Sequence, residues 1–542
     1  MRRRAGAGAA VTAGALVALA VIAAGLAILA GNLSGSSSPP STSGRVGAAG
    51  EPRPAGSPRA APPAPLPKAA DGPGPEVAYT GPRRLSGLTT LRARTAGEGV
   101  VAVTFMLDRR PLGTDTTAPY SLDIDAGALA RGTHRLRAAA VDRLGRRGRS
   151  RRVRVVADGR PTPALTATPD IGLGDALAAL RRGNMTVHLG PGRYVVSDVV
   201  LGSGARLVGA GASTVLVPPG DADTWALVTV RGSGVRISDL VVDGGRHTER
   251  GIAVADGSND VRLQRLRIAG MTVNGVEAWG VHRGVSVQDS NIIGGRRANA
   301  GVFDLGSDAS SDTSVVRTRI ADFRGFGVLL AQTAHGRPNA ARGGVALDNV
   351  ISDIENPRIR DGTSEGGIWS GGVRAAIVGN TIRRTGVDGI ETVGSSTGTA
   401  VTANDIADTP VGIYLEHATN RSLIAGNRIA RVSTGINVEW RHGGVGSAEN
   451  TFAGNVVRRA RAAGLFLDVG SDGNRIVDNT FSGGRNPIVL QGASANLLAG
   501  NRASGGGPLV GLRRGHYDDG ELAVSAANRT VGRRHPGVYG AG

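Results

Sequence analysis

Three carboxylates recur at one position of a periodic sequence. Glu416, Glu439 and Asp468 each stand four residues after a glycine, at Gly412, Gly435 and Gly464, and Gln491 ends the series in the next unit. Trp369, Glu391, Tyr414 and Asn437 stand two residues after their own glycines. If these segments are strands, successive side chains alternate between faces. Residues two and four after the glycine then share the face opposite the apolar residue that follows it. Stacked strands are roughly 5 Å apart, so neighbouring carboxylates in such a row match the pair of a retaining glycosidase, and a two-rung gap sits at the upper edge of the inverting range. Like charges that close raise one pKa or recruit a cation. Glu391, Glu416, Glu439 and Asp468 are therefore the candidate acids, bases or nucleophiles. Trp369, Tyr414, His417, Asn437, Trp440, Arg441, His442 and Gln491 are the candidate substrate-binding groups around them. The competing expectation is that outward carboxylates simply keep the surface soluble.

The row requires a repeat that stacks. A glycine followed by an aliphatic residue recurs at Gly251, Gly275, Gly301, Gly327, Gly367, Gly389, Gly412, Gly435 and Gly464, at intervals of 24, 26, 26, 40, 22, 23, 23 and 29. In phase with it run Asn349, Asn380, Asn404, Asn427, Asn455, Asn479 and Asn501, most in an apolar context such as Ile377-Val-Gly-Asn-Thr-Ile382. Such units are too short for a strand–helix repeat but suit a coil of short strands, the unit of a parallel β-helix. The glycines are expected to permit the tight turn entering each strand, and the asparagines to bond along the stack and to turn backbone. The long intervals after Gly327 and Gly435 place loops beside the row, carrying His335 and Arg337, and Trp440 to His442. Leu173, Ala176, Leu177 and Leu180 mark a short amphipathic helix before the first coil.

On these residues the stretch 168–510 resembles the pectate-lyase-like right-handed parallel β-helix superfamily. The resemblance implies a capping helix over the first coil, and an activity on polysaccharide, often acidic and in some members Ca²⁺-dependent. The Asp-Pro-His-Asp run of the alginate epimerases is absent. A lyase needs a base at the sugar C5 proton; with Lys68 the only lysine in the chain, Arg441, His442 or His417 would have to serve. Hydrolysis by the carboxylates is the better expectation within this class. The runs Phe303-Asp-Leu-Gly-Ser-Asp308 and Leu467-Asp-Val-Gly-Ser-Asp472 could hold Ca²⁺ through oxygens, though Ser and Asp there suit turns; no cofactor is otherwise expected.

The remainder reads as a tether and a spacer. Arg2, Arg3 and Arg4 precede an uncharged run, residues 5–31, long enough to span a bilayer of about 30 Å and oriented with its N-terminus in the cytoplasm. Residues 32–80 are a Pro/Ser/Gly-rich linker. Residues 81–158 alternate apolar and polar positions, as in Val101, Val103, Phe105 and Leu107. The stretches Val103-Thr-Phe-Met-Leu-Asp108 and Asp115-Thr-Thr-Ala-Pro-Tyr120 resemble a bacterial Ig-like domain, a small β-sandwich that implies spacing or adhesion. The solenoid is assigned to 168–515 and a tail to 516–542. The expected fold class is thus all-β: a transmembrane anchor helix, an Ig-like sandwich and a right-handed parallel β-helix.

The absence of cysteine excludes disulfides and thiolate metal sites. The net charge of +19 suits an acidic polymer or a membrane surface. No dense basic block with interleaved aromatics points to nucleic acid. The chain is therefore expected at the cell membrane with its body outside, or secreted if the first segment is cleaved. Two functions stay open: a polysaccharide hydrolase or lyase, and a non-catalytic glycan-binding or structural surface protein.

Overall fold

The computed structural model describes residues 72–513 and 539–540, apart from 98, 161, 221–222, 307–311, 332–342, 356–365, 394–395, 417, 440–445, 485 and 505–508. Among the described residues no helix is long and apolar enough to cross a membrane. The apolar run 5–31 and most of the linker lie outside them.

The first described strands form a sandwich. A three-stranded sheet (Glu76–Tyr79, Leu88–Ala96, Ser121–Asp125) faces a six-stranded one centred on Val100–Leu107 and Gly132–Asp142. Period-two alternation turns Val103, Phe105, Leu107, Leu122, Leu136, Ala138, Ala140 and Val155 into a shared core. The arginine-rich stretch after Asp142 turns back as a hairpin, returning as Arg147–Arg149.

The solenoid follows. One wall is a parallel sheet of 14 strands, one per coil, from Ala164–Ala167 to Leu497–Ala499. The other strands of each coil join a second, 23-stranded sheet system, so that a coil such as Val345–Leu347, Val350–Ile354, Gly366–Ser370 contributes three strands. The aliphatic residue after each glycine stacks inward in one column: Ile252, Val276, Val302, Val328, Ile368, Ile390, Ile413, Ile436 and Leu465 are all essentially inaccessible to solvent. The helix Leu173–Arg182 buries Ala176, Ala179 and Leu180 against the first strands and stops at Gly183, whose φ of 85° favours glycine. It covers an end that would otherwise expose core and backbone edge.

The asparagine column bonds as its spacing suggested. Asn427 Oδ1 accepts the Asn404 backbone N–H at 3.0 Å, while Asn427 Nδ2 donates to Val401 O at 2.8 Å and Asn455 Oδ1 at 2.9 Å; the pattern runs from Asn349 to Asn501. The glycine column corrects its expected role. None of Gly251, Gly275, Gly301, Gly327, Gly367, Gly389, Gly412, Gly435 and Gly464 has positive φ. They are required by close approach instead: a Cβ on Gly412 would stand 2.5 Å from the Gly435 carbonyl oxygen and 2.5 Å from Ile429 Cγ2.

The Ig-like sandwich packs on the outer face of the 14-stranded wall. Val101, Ala102 and Val141 are buried against Val316, Val345, Leu347, Ala376 and Val378. Gln288 Oε1 accepts from Thr114 N at 2.8 Å and its Nε2 donates to Thr114 O at 2.6 Å, as a strand neighbour would. Arg147 pairs with Asp348 at 2.5 Å, and Arg143 O accepts from Thr402 Oγ1 at 2.7 Å. Part of the positive charge is thus spent in this docking. The wall bearing the carboxylate row is a different one.

Candidate functional site

The carboxylate row is positioned by four strands of the 23-stranded system, Val411–Glu416, Arg428–Glu439, Val456–Leu467 and Asn486–Gln491. The first two pair in parallel with Tyr414 opposite Asn437 and Glu416 opposite Glu439. Asp468 lies one rung further, its N–H donating to Val438 O at 2.8 Å. Each of the last two carboxylates takes an amide: Asn437 Nδ2 donates to Glu439 Oε2 at 2.9 Å and Gln491 Nε2 to Asp468 Oδ1 at 3.1 Å. Glu416, Glu439, Asp468, Asn437 and Gln491 are all partly buried, neither enclosed nor freely solvated.

The second column differs from expectation. Trp369, Glu391 and Tyr414 do stack in register, but they are buried, at 6%, 4% and 3% exposure. They do not present an open platform. Trp369 joins Leu329, Val393, Phe303 and Phe326 in an apolar cluster on the outside of the wall, with the Phe326 ring edge-on at 6.5 Å. Glu391 is held between Trp369 and Tyr414, one rung to either side. His417, Trp440, Arg441 and His442 lie outside the described residues, as do the loop residues His335 and Arg337.

A second polar group on the same outer face joins Glu277 and Trp279, which stand two and four residues after Gly275 but far up the stack from the carboxylate row, to Arg250, Asn274 and Trp225, which the pattern did not reach. Arg250 Nε donates to Glu277 Oε2 at 2.8 Å, and Asn274 Nδ2 donates to the same oxygen at 2.6 Å. Arg250 also bonds Glu249, and its guanidinium lies 4.9 Å from the Trp225 ring centre. Trp225 meets Trp279 edge-to-face at 5.5 Å and is 45% exposed. The register places Glu277 in the same column as Trp369, Tyr414 and Asn437, six rungs from Asn437. Trp225 precedes the glycine series, which is why the repeat could not flag it.

The described residues of the oxygen-rich runs behave as turn and core; Ser307 and Asp308 lie outside the described residues. Asp472 accepts from Ser494 N at 2.6 Å and Ser494 Oγ at 2.8 Å. Asp304 points into the solenoid, where its carboxylate lies 3.1 Å from His282 Nε2, both groups buried. Burial works against an imidazolium, but the bond and charge of Asp304, with backbone contacts, raise the His282 pKa above its ordinary value. Parity carried this signal: Asp304 is the third residue after Gly301, an inward position. Among the described residues no group of three or more His, Asp or Glu could hold a metal ion.

Residues 343–503 match the family model described as the right handed beta helix region, and residues 75–138 match that of the bacterial Ig domain. The chain is a right-handed β-helix preceded by a bacterial Ig-like domain. Its fold is similar to that of a family 28 exopolygalacturonase from Yersinia enterocolitica, at 10% identity and a TM-score of 0.50 over 85% of this chain and 100% of that one. The A-module of a mannuronan C-5 epimerase from Azotobacter vinelandii matches at 17% identity and a TM-score of 0.42, over 68% of this chain and 97% of that one. The catalytic domain of a GH87 alpha-1,3-glucanase matches at 12% identity and a TM-score of 0.37, over 85% and 92%. At these identities the likeness concerns the β-helix fold alone. No curated protein matches the sequence.

Proposed function

We propose that this β-helix acts on a polysaccharide outside the cytoplasm, held at the membrane by residues 5–31, and that the row Glu416–Glu439–Asp468 hydrolyses its glycosidic bonds. The observation that carries the reading is the parallel pairing of Glu416 with Glu439. In-register strands are about 4.8 Å apart, which brings neighbouring side chains close to the roughly 5–5.5 Å between carboxyls at which one attacks the anomeric carbon and the other protonates the leaving oxygen. The Asn437 amide donates to Glu439 Oε2 at 2.9 Å and so holds that carboxylate in place as the nucleophile. Glu416, one rung away, then serves as acid and afterwards as base toward water. Gln491 and Asp468 stand on the next rungs, where a following sugar unit would lie. The shared fold with an exopolygalacturonase supports polysaccharide as the substrate class.

The test is to incubate the protein with polygalacturonan, alginate and α-1,3-glucan and to assay both reducing ends and unsaturated-uronate absorbance. Hydrolysis predicts reducing ends without new absorbance, and a fall of about 10²–10⁴-fold in Glu439→Gln. Absorbance would mean lyase chemistry and would remove the nucleophile role. No product from any polymer favours the second reading, glycan binding without cleavage. That reading draws on the exposed Trp225, its partner Trp279 and the bonded Arg250. It predicts that Trp225→Ala abolishes polymer retardation in affinity gels.

A further inference from the structure

Between the Ig-like sandwich and the first coils lies a cleft of about 720 Å³, within the usual range of roughly 300–1,000 Å³ for ligand sites, which favour domain boundaries. Its floor is the outer face of the 14-stranded wall. There Arg236 and Arg262 occupy one register position on successive coils, followed by Ser286 and Ser314. Its roof is the turn that carries Asp115, Thr117 and Pro119.

This solenoid repeatedly gives an arginine an aspartate from a neighbouring coil. Arg236 has Asp260 at 2.7 Å, Arg265 has Asp239 at 2.6 Å, Arg317 has Asp289 at 2.7 Å and Arg431 has Asp408 at 2.6 Å. Arg262 departs from the pattern. Asp260 immediately precedes its strand, and the equivalent residue one coil on is Gly284, so no carboxylate bonds Arg262 from that position, although Asp260, Asp115 and Asp123 lie near enough to act on its charge. Among the described residues Arg262 enters no ion pair, and its Nε has no hydrogen-bond partner. The other acids of the cleft already have donors. Asp115 takes the backbone N–H groups of Thr117 and Ser121, Asp123 takes Thr90 Oγ1, and Asp312 takes Thr117 Oγ1. Burial, with the like charge of Arg236 next, lowers the Arg262 guanidinium to about 10, against the smaller opposing pull of Asp260, Asp115 and Asp123. A cation so placed gains from an oxyanion brought to it.

We propose that this cleft binds an acidic sugar: an oxyanion-bearing unit whose carboxylate or sulfate bonds Arg262 and whose hydroxyls meet Thr117 at the rim. The absence of a side chain at Gly284 leaves the room that the missing aspartate would fill. The site is on a different wall from the carboxylate row, and its occupancy does not depend on that row's chemistry. It would hold a glycan chain without cutting it.

Calorimetry on the full chain with trigalacturonate tests this, with maltotriose and sodium sulfate as comparison probes. Binding of trigalacturonate that weakens with added salt is expected, with maltotriose and sulfate at least tenfold weaker. Arg262→Gln should lose about 10–100-fold in affinity. Thr117→Trp, at an exposed rim position, should block the cleft by bulk and weaken binding similarly, whether or not the arginine variant folds. Equal binding of maltotriose or of sulfate alone would overturn the assignment. So would undiminished affinity in both variants, or no binding of trigalacturonate at all. Because binding is read directly, inactivity toward polymers would count against hydrolysis and leave this result standing.

Discussion

His282 and Asp304 show how one side chain turned inward changes the balance of a solenoid core. Asp304 shares its inward register with Ala278, among aliphatic neighbours, and its charge is tolerable there because His282 meets it. A histidine whose folded pKa is raised stabilises the fold fully below its unfolded value of about 6.5, and that contribution is lost as the pH rises through the folded value. Thermal melts from pH 5.5 to 9 should therefore show stability from this pair falling on the alkaline side. Asp304→Asn should flatten that fall and lower stability at pH 6 by about 3 kcal/mol, the cost of breaking a buried pair. Identical pH profiles for the two proteins would show that His282 is neutral in the fold. This pair was legible only through parity: the same alternation that puts Glu416 and Glu439 outward puts Asp304 inward, whereas its Ser/Asp-rich surroundings read as a turn.

At the level of the coil, sequence spacing revealed the stack but not the reason for each marker. The glycine–aliphatic pair gave the register, because an inward residue repeated every coil must face the core, and Asn349 to Asn501 fell on one bonded column. A second asparagine column, Asn450, Asn474 and Asn496, shares the bonds from backbone N–H to the next Oδ1 but not the amide-to-amide links, and it is too short for its spacing to stand out. The glycines read as turn formers are instead points where two coils touch through backbone. That distinction has a measurable outcome. Gly412→Ala keeps an allowed backbone but drives a methyl into Gly435 O and Ile429, so it should cost about 2–3 kcal/mol by overpacking. A turn role at ordinary φ would cost almost nothing, so unchanged denaturant midpoints would refute the close-approach account. Burial of Trp369, Glu391 and Tyr414 was beyond reach for a related reason. Alternation assigns a face, but what packs over that face depends on contacts such as Trp369 with Phe326, which no local pattern encodes.

For the molecule as a whole, the Ig-like sandwich and the solenoid meet as if they were one core. The sequence separated them correctly as modules but carried no sign of their docking, since Val101 and Val141 alternate as any strand residue does and Gln288 is an unremarkable polar position. In the fold, these valines are sealed against Val316, Val345 and Val378, and Gln288 supplies both hydrogen bonds that the buried Thr114 backbone needs. An interface with that much apolar contact should transmit unfolding from one module to the other. Scanning calorimetry should show a single transition for the native chain. Gln288→Ala leaves two buried backbone groups unpaired and should lower the midpoint by the equivalent of about 2–3 kcal/mol. Val141→Asp places a charge in the seam and should split the transition in two, with new protease cutting between residues 158 and 164. Should Val141→Asp still melt as one unit, the modules would be coupled elsewhere, and the roof of the cleft over Arg262 would not depend on this seam.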